Sequence, residues 1–235
     1  MKNLIDTHTT VDFNITNYCN SNCPTCKRFS LEPGPLKLME HLELVHMDVD
    51  FFEKCLTQNQ SFFLNKNCQF CGEFGDPLLH PKLLDLISIS SKFFKTLLIN
   101  TNGGVNRKKL FNEIIEKYLK TRIVFSIDGI DNEINSMYRY GVDTELAMSN
   151  MLNFAKKTRG RTHWDYIIFK HNIHQLEDAI KISSDNNIIL NIKINVSERK
   201  DKGVYKISYE DLEEAKKIYR KYKSDLKYKY KIFFN

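Results

Sequence analysis

Three cysteines follow the first apolar segment of the chain, in the stretch Val11-Asp-Phe-Asn-Ile-Thr-Asn-Tyr-Cys19-Asn-Ser-Asn-Cys23-Pro-Thr-Cys26. The alternation of apolar and polar residues from Val11 to Thr16 predicts a β-strand. No apolar leader follows Met1, which predicts a cytoplasmic, reducing environment. In that environment clustered cysteines more often bind metal or carry out chemistry than form disulfides. The stretch therefore predicts a metal site on the loop after the first strand.

Further apolar and β-branched runs predict five more strands, at 67–71, 96–101, 122–127, 164–169 and 188–196. Amphipathic segments predict helices between them, at 48–56, 81–94, 106–119, 144–157 and 173–185. We expect Pro81 in a first helical turn and Asn106 or Asp143 as an N-cap. Regular βα alternation predicts an α/β fold, and six repeats favour a partial (βα)6 TIM-like barrel. In such a fold the active site lies at the C-terminal ends of the strands.

The chain has 235 residues, of which 42% are hydrophobic and 27% charged, as expected for one globular domain. Its net charge of +6 is concentrated near the C-terminus, where eight basic residues and one acid lie between Lys216 and Lys231. We expect a barrel core over 1–199 and a basic C-terminal helix and tail over 200–235, packed on or extending the barrel. The helix is predicted at 208–222, and the alternation of 227–234 predicts an edge strand. No apolar run approaches the roughly 18 residues that cross a bilayer, so no membrane partner is expected.

Three thiolates on one loop are compatible with zinc or with an iron-sulfur cluster. Structural zinc needs four ligands, usually in two separated pairs, and Cys68-Gln-Phe-Cys71 is the one further pair in the sequence. Using that pair would give a five-cysteine site and pull the second strand onto the loop. The spacing therefore favours one [4Fe-4S] cluster bound by Cys19, Cys23 and Cys26, with its fourth iron open to a ligand.

This CxxxCxxC loop after a first strand resembles the cluster loop of radical SAM enzymes. The resemblance implies that the fourth iron chelates the amino and carboxylate groups of S-adenosyl-L-methionine. It also implies an electron donor such as flavodoxin or ferredoxin, reductive cleavage to methionine and a 5'-deoxyadenosyl radical, and hydrogen abstraction from a substrate. The family usually has an aromatic or large apolar residue before the third cysteine, where this chain has Thr25. Tyr18 and Phe74 are the candidates to replace it near the adenine.

The end of the second strand is similar to the GGEP motif of that family, with Phe74 as an insertion. Glycines there let the backbone approach a ligand closely. By the resemblance, the segment receives the amino group of the cofactor; a plain turn between strand and helix is the alternative. The residues concerned are Gly72, Glu73, Phe74, Gly75 and Asp76.

The next two strand ends carry short polar groups. Asn102 follows the third strand, where we expect a cofactor ligand, although such residues often only cap a helix. Ser126-Ile-Asp-Gly129, continuing to Tyr138-Arg139-Tyr140, resembles the SxDG…YR pattern of the peptide-modifying branch. The resemblance implies that Ser126 and Arg139 hold the carboxylate and ribose of the cofactor, a role suited to the forked guanidinium. Asp128 is expected to be structural.

The fifth strand ends in Phe169-Lys170-His171-Asn172-Ile-His-Gln175, which resembles an FKHNxHQ segment of proteins related to the SPASM group. We expect Lys170 at the cofactor site because it lies at a strand C-terminus. With Arg199 after the sixth strand, the resemblance spans 11–199.

The remaining cysteines limit the number of clusters. No cysteine follows Cys71, so the auxiliary clusters of SPASM and twitch enzymes are not expected, and we predict one cluster. Cys55 is interpreted as a buried small hydrophobe. Cys68 and Cys71 lie three apart on a strand and are expected to face opposite sides. Cys71 is the candidate catalytic residue, returning a hydrogen atom to a substrate radical; a packed strand cysteine is the alternative.

The resemblance implies a peptide or protein substrate. A small-molecule or nucleobase radical SAM enzyme and a glycyl-radical activase remain open. From another class, a non-catalytic electron-transfer or nucleic-acid-binding iron-sulfur protein would suit the Lys- and Tyr-rich tail. An arginine clamp for a cofactor argues against that interpretation. The tail is alternatively a solvated face or edge strand, or it steers an acidic leader peptide.

Replacing Cys23 with Ala is expected to abolish cluster binding, because two thiolates on the loop cannot hold the three irons that three thiolates hold. Iron content and visible absorbance after anaerobic reconstitution measure the loss. Iron and brown colour equal to those of the parent chain would show that the cysteines are not cluster ligands.

Overall fold

The computed structural model describes residues 9–30, 36–194, 205, 207–225, 227–228 and 231–235. These residues form alternating strands and helices, which confirms the predicted α/β class. The described chain divides into two compact units. The first unit contains 9–19, 43–101 and 107–123, and the second contains the other described residues.

Seven strands lie in the described part of the chain, one more than the six predicted repeats. They are β1 Thr10–Phe13, β2 Asn67–Phe70, β3 Thr96–Thr101, β4 Thr121–Ser126, β5 Thr162–Ile168, β6 Ile189–Ile194 and β7 Ile232–Phe234. The strands follow one another in chain order across the sheet, and β4 contributes residues to both units. Strands β1, β2 and β3 pair in parallel in the first unit, as do β5, β6 and β7 in the second.

Helices connect these strands. They are α1 Val49–Gln58, α2 Gln60–Phe63, α3 Leu83–Phe93, α4 Lys108–Lys117, α5 Asn132–Ser136, α6 Thr144–Lys157, α7 Leu176–Asp185 and α8 Tyr209–Lys223. Helix α6 has the predicted bounds, and Asp143 is its N-cap, with its side chain accepting from the Leu146 N–H at 2.9 Å. Among the helices of the described residues, none combines the length and apolar character needed to cross a bilayer.

Two predicted helix starts are wrong. Helix α3 begins at Leu83, because the chain first makes a 3-10 turn at Pro77–Leu79, and Pro81 lies outside the helix. Helix α4 begins at Lys108 with Arg107 at the cap position, so Asn106 is not its N-cap. Arg107 Nη1 instead donates to two carbonyls, one in the 3-10 turn and one at the C-cap of that turn. This long-range contact fixes the start of α4.

The first unit packs helices on one face of β1–β3. The ring centroid of Phe13 in β1 lies 5.2 Å from that of Phe52 and 6.1 Å from that of Phe94. An aromatic cluster thus joins the strand to α1 and to the end of α3. Cys68 is buried in the same core, whereas Cys71 is only half-buried. Cys71 follows the last residue of β2, so the placement of the two thiols on opposite faces of one strand stays a prediction. Cys55 is also only half-buried, so the prediction of a buried hydrophobe is wrong: Phe52 and Leu56 form the inward face of α1.

The second unit has a core of large aromatic side chains from β4, β5 and α6. Trp164, Tyr166, Phe125 and Phe154 are completely or almost completely buried. The polar atoms of the first two are paired: Trp164 Nε1 donates to the Ile127 carbonyl at 2.7 Å, and the Tyr166 hydroxyl donates to a turn carbonyl at 2.8 Å. Burial of these rings without unpaired polar groups fixes the end of β4 beside β5.

The C-terminal tail is part of the sheet, which confirms the predicted edge strand. Strand β7 pairs in parallel with β6, with Ile232 opposite Leu190. A lysine of α8 and a lysine after that helix pair with α7: Lys221 with Glu177 at 2.7 Å, and Lys227 with Asp185 at 2.8 Å. Some of the basic residues near the C-terminus therefore pair with acidic residues of the fold.

Replacing Ile232 with Ala is expected to lower the free energy of unfolding by about 2–5 kcal/mol, because a completely buried branched side chain is removed. Urea denaturation measures the change. The neighbouring Phe233→Ala is the control, since Phe233 is 43% exposed and its loss is expected to cost less than about 1 kcal/mol. Equal stability of the parent and Ile232→Ala would show that β7 does not support the sheet.

Candidate functional site

In the first unit, the chain that leads from β1 to Cys19 is held by a histidine. Thr16 Oγ1 and His46 Nδ1 are 2.8 Å apart, and Thr16 and His46 also form an isolated antiparallel bridge. The ring of Tyr18 stacks on that of His46 with centroids 4.3 Å apart and planes 14° apart. Burial lowers the pKa of His46, so the stacked ring is neutral near pH 7. Tyr18, a candidate for packing on the adenine, therefore already has an aromatic partner.

The segment after β2 docks onto the same stretch through Gly75 and Asp76. The Asp76 N–H donates to the Tyr18 carbonyl at 2.7 Å. A Cβ at Gly75 would lie 2.7 Å from the Asn17 Cα and closer still to the Thr16 carbonyl, so only glycine fits there.

The carboxylate of Asp76 is buried and accepts from the Leu78 N–H and the Thr101 hydroxyl, each at 2.9 Å. Asp76 thus organises the loop through its side chain. Among the other residues of the motif, Gly72 and Glu73 are exposed and Phe74 is half-buried. These three are the members of the segment that are accessible to solvent.

Cys71 lies at the end of β2, where its thiol donates to Asn14 Oδ1 at 3.3 Å. Burial raises the pKa of this thiol. The S–H form therefore dominates at neutral pH, and this is the form that a hydrogen-atom donor requires.

In the second unit, Cys23 packs in an apolar cluster with Tyr138 and Phe169, and Cys26 and Ile167 lie at its edge. The Cys26 N–H donates to the Cys23 carbonyl at 3.0 Å, which makes a turn between the two cysteines. Ser21 Oγ lies 3.0 Å from Cys23 Sγ.

Arg139 connects this cluster to a buried carboxylate. Its Nε donates to Asp128 Oδ2 at 2.6 Å, and its Nη1 donates to Cys23 Sγ at 3.8 Å. Asp128 is completely buried and also accepts from the Ile167 N–H at 2.8 Å. Burial raises the pKa of Asp128, and the guanidinium opposes that rise. The hydrogen bonds of Asp128 fit the structural role expected for it.

Tyr138 is a site residue for which sequence reasoning found no role. Its hydroxyl lies 2.5 Å from Thr25 Oγ1, and its ring centroid is 4.4 Å from that of Phe169. Burial raises its pKa to about 12, so the phenol is protonated. The connection between α5 and α6 thus places the aromatic ring of Tyr138 beside Thr25. The signal that could have indicated this is its place directly before Arg139 in the YR motif.

Asn102 holds the cysteine loop with its side-chain amide. Its Nδ2 donates to Asn20 Oδ1 at 2.7 Å, and its Oδ1 accepts from the Gly104 N–H at 2.9 Å. Asn20 in turn donates to the Gly104 carbonyl at 3.0 Å. The side-chain amide of Asn102 is therefore hydrogen-bonded within the protein. One of its partners, Asn20, directly follows the first cysteine in the sequence.

A second contact to the loop comes from residues 140–141. The Asn22 N–H donates to the Tyr140 carbonyl at 2.8 Å. Gly141 has φ +86°, and a Cβ there would lie 2.8 Å from the Asn20 carbonyl oxygen. Glycine is therefore required at this position both by conformation and by close approach.

The segment after β5 contains one asparagine with a structural role, one exposed lysine, and one histidine whose ring nitrogens lack hydrogen-bond partners in the described chain. Asn172 is completely buried and donates to the carbonyls of Asp128 and Ile167, each at 2.8 Å. Lys170 is exposed. His171 stacks on Phe169 with centroids 5.2 Å apart, and its buried ring nitrogens have no hydrogen-bond partner within the described chain.

The last two predicted positions are Ser126 and Arg199. Ser126 is half-buried at the end of β4. Arg199 lies outside the described residues.

The donor set of the loop fits an iron-sulfur cluster in its chemistry. None of the six cysteines, all within the described ranges, forms a disulfide. An N–H donor is directed at a sulfur, as is common around such clusters. In the described part of the chain, no three His, Cys, Asp or Glu side chains are placed to hold a metal ion together.

Comparisons with known proteins relate this fold to enzymes solved with the predicted cofactor. SuiB from Streptococcus suis bound to S-adenosylmethionine has a TM-score of 0.74 and 16% identity, over 97% of this chain and 50% of its own. It was also solved bound to the precursor peptide SuiA. The protein anSMEcpe with bound AdoMet has a TM-score of 0.71 and 17% identity, over 97% of this chain and 63% of its own. It was also solved with AdoMet and the Kp18Cys peptide.

A curated relative from Pyrococcus furiosus is the tungsten-containing aldehyde ferredoxin oxidoreductase cofactor-modifying protein. It is 29% identical over 121 residues, which are 52% of this chain and 31% of the relative. No family model matches the chain. The chain spans about a third of this relative and half of SuiB.

The solved structures are radical SAM enzymes, so the resemblance stated from the motifs is confirmed at the level of the fold. The chain has the α/β fold with a parallel sheet that these enzymes share.

Replacing Asn102 with Ala is expected to lower the free energy of unfolding by about 1–3 kcal/mol, because partners on Asn20 and Gly104 lose their hydrogen bonds. Urea denaturation of the metal-free chain measures this. Asn153→Ala is the control, an exposed asparagine whose side chain bonds Ser149 on the same helix and whose loss is expected to cost less than about 0.5 kcal/mol. Equal losses in the two variants would contradict a holding role for Asn102.

Proposed function

We propose that the chain is a radical SAM enzyme that binds one [4Fe-4S] cluster through Cys19, Cys23 and Cys26. The observation that carries the proposal is the CxxxCxxC loop directly after β1 in a fold shared with S-adenosylmethionine-bound enzymes. The strands would form a partial (βα)6 barrel extended by β7, with 1–199 as the core and 200–235 as the added helix and strand. The parallel β6–β7 pairing supports that extension.

When bound, the cluster supplies one electron for reductive cleavage of S-adenosylmethionine to methionine and a 5'-deoxyadenosyl radical. In the proposal, the exposed turn Gly72-Glu73-Phe74 accepts the ammonium group of the cofactor through its carbonyls. Ser126 and the amino groups of Arg139 contact its carboxylate or ribose. Gly75, Asp76 and Asn102 hold the surrounding loops, and exposed Lys170 contacts the cofactor from the turn after β5.

A peptide or protein is the proposed substrate. Both SuiB and anSMEcpe were solved with peptides, which supports that class. The protonated thiol of Cys71 supports a reaction in which a hydrogen atom is returned to a substrate radical. A cytoplasmic location and a flavodoxin or ferredoxin as electron donor complete the proposal.

A small organic cofactor is the second candidate substrate. The observation that favours it is the match to a cofactor-modifying protein over 52% of the chain. The two candidate substrates require the same cluster and the same cleavage of S-adenosylmethionine. They differ in the molecule from which the hydrogen atom is abstracted.

The anaerobically reconstituted chain, reduced with dithionite and given S-adenosylmethionine, is expected to form 5'-deoxyadenosine, which mass spectrometry detects. Cys26→Ala is expected to form none, because it removes a proposed cluster ligand. Cys55→Ala is the matched control and is expected to retain the activity, since Cys55 lies on α1 outside the loop. A reconstituted cluster without cleavage would contradict the proposed function and favour electron transfer.

A further inference from the structure

Arg139 has a contact that a cofactor clamp does not require. Its guanidinium lies between the Asp128 carboxylate, 2.6 Å from Nε, and Cys23 Sγ, 3.8 Å from Nη1. We propose that Arg139 is a positioning residue that raises the reduction potential of the cluster through an N–H···S hydrogen bond to Cys23. This inference rests on the proposed function and specifies how one residue serves it.

The guanidinium is fixed at both ends of the side chain. The backbone N–H of Arg139 donates to the Asn135 carbonyl at 2.8 Å, and Asn135 Oδ1 accepts from the Asp128 N–H at 2.8 Å. Asp128 and Arg139, which lies just after α5, are therefore both attached to Asn135 of that short helix. Because the guanidinium is planar, binding of Nε by Asp128 also sets the direction in which Nη1 points.

The environment makes this cation effective. The Arg139 side chain is 14% exposed, so water and salt screen its charge little. Reduction adds negative charge to a cluster and its thiolates. A nearby cation and an N–H donor stabilise that charge, and hydrogen bonds to sulfur and net charge are known determinants of cluster potential. Arg139 is thus expected to make the cluster easier to reduce.

The same contacts bear on the cofactor role predicted from the YR motif. Nε is directed at the Asp128 carboxylate, and one N–H of Nη1 is directed at Cys23 Sγ. Each amino group of a guanidinium carries two N–H bonds, so Nη1 retains a second donor that can serve a carboxylate together with Nη2. The effect on Cys23 is therefore compatible with the cofactor role.

The test is an EPR-monitored redox titration of the reconstituted full chain without S-adenosylmethionine. Arg139→Gln keeps an N–H donor group but removes the charge, and a shift of the midpoint to a more negative potential is expected. Arg139→Lys keeps the charge and is expected to shift less. Arg161→Gln is the matched control: it removes a half-buried arginine that lies over Phe154, and no shift is expected.

Arg139→Gln leaves Asp128 buried without its cation, which threatens folding. The double variant Asp128→Asn with Arg139→Gln removes both charges and is expected to shift the midpoint in the same direction. An unchanged midpoint in the single variant, or in the double variant if the single one does not fold, overturns the proposal. If the parent chain itself holds no cluster, the proposed function fails as well; a parent with a cluster and an unshifted variant overturns this inference alone.

Discussion

The buried carboxylate of Asp128 is the constraint around which the second unit is arranged. A carboxylate without solvent must be paired and hydrogen-bonded, and removing the partner of a buried pair typically costs about 3–5 kcal/mol. Ile167 and Arg139 satisfy the oxygens of Asp128, while Asn135 and Asn172 bind its backbone N–H and carbonyl. One buried residue thus joins the end of β4 to α5, to β5 and to the turn that follows β5.

The cysteine loop depends on its surroundings because it has little regular structure of its own. In the second unit, segment 138–141 contacts it at Asn20, Asn22, Cys23 and Thr25. Asn102 adds a side-chain contact to Asn20. Several residues that resemble cofactor ligands in sequence therefore hold the loop. The residue before the third cysteine is the polar Thr25, and the ring of Tyr138 lies beside it. The loop therefore still has an aromatic neighbour at this position.

Motif spacing predicted where polar residues lie along the chain better than which contacts their side chains make. Asp76 and Asn102 were both expected at the cofactor, yet the carboxylate of the first caps a 3-10 turn and the amide of the second binds Asn20. Asn102 directly follows β3, as predicted, whereas Asp76 lies beyond the end of β2 and caps a 3-10 turn. A polar group at a strand end can face a ligand or a neighbouring loop, and the sequence is the same in either case. Tyr138 is the opposite case: no role was predicted for it, yet it contacts the cysteine loop. Its partner Thr25 is 113 positions away in the sequence, so local patterns do not indicate the contact.

The sequence by itself determined the α/β class, the bounds of α6, the edge strand β7 and the three-cysteine loop after β1. These features depend on periodicities of two and 3.6 residues and on close spacing, which are properties of neighbours in the chain. The tertiary structure decided the starts of α3 and α4, the pairing of Arg139 with Asp128 and Cys23, and the use of Asn102. Each of those depends on which distant side chain or carbonyl is within hydrogen-bond reach once buried polar groups have been satisfied, and local patterns do not specify that partner.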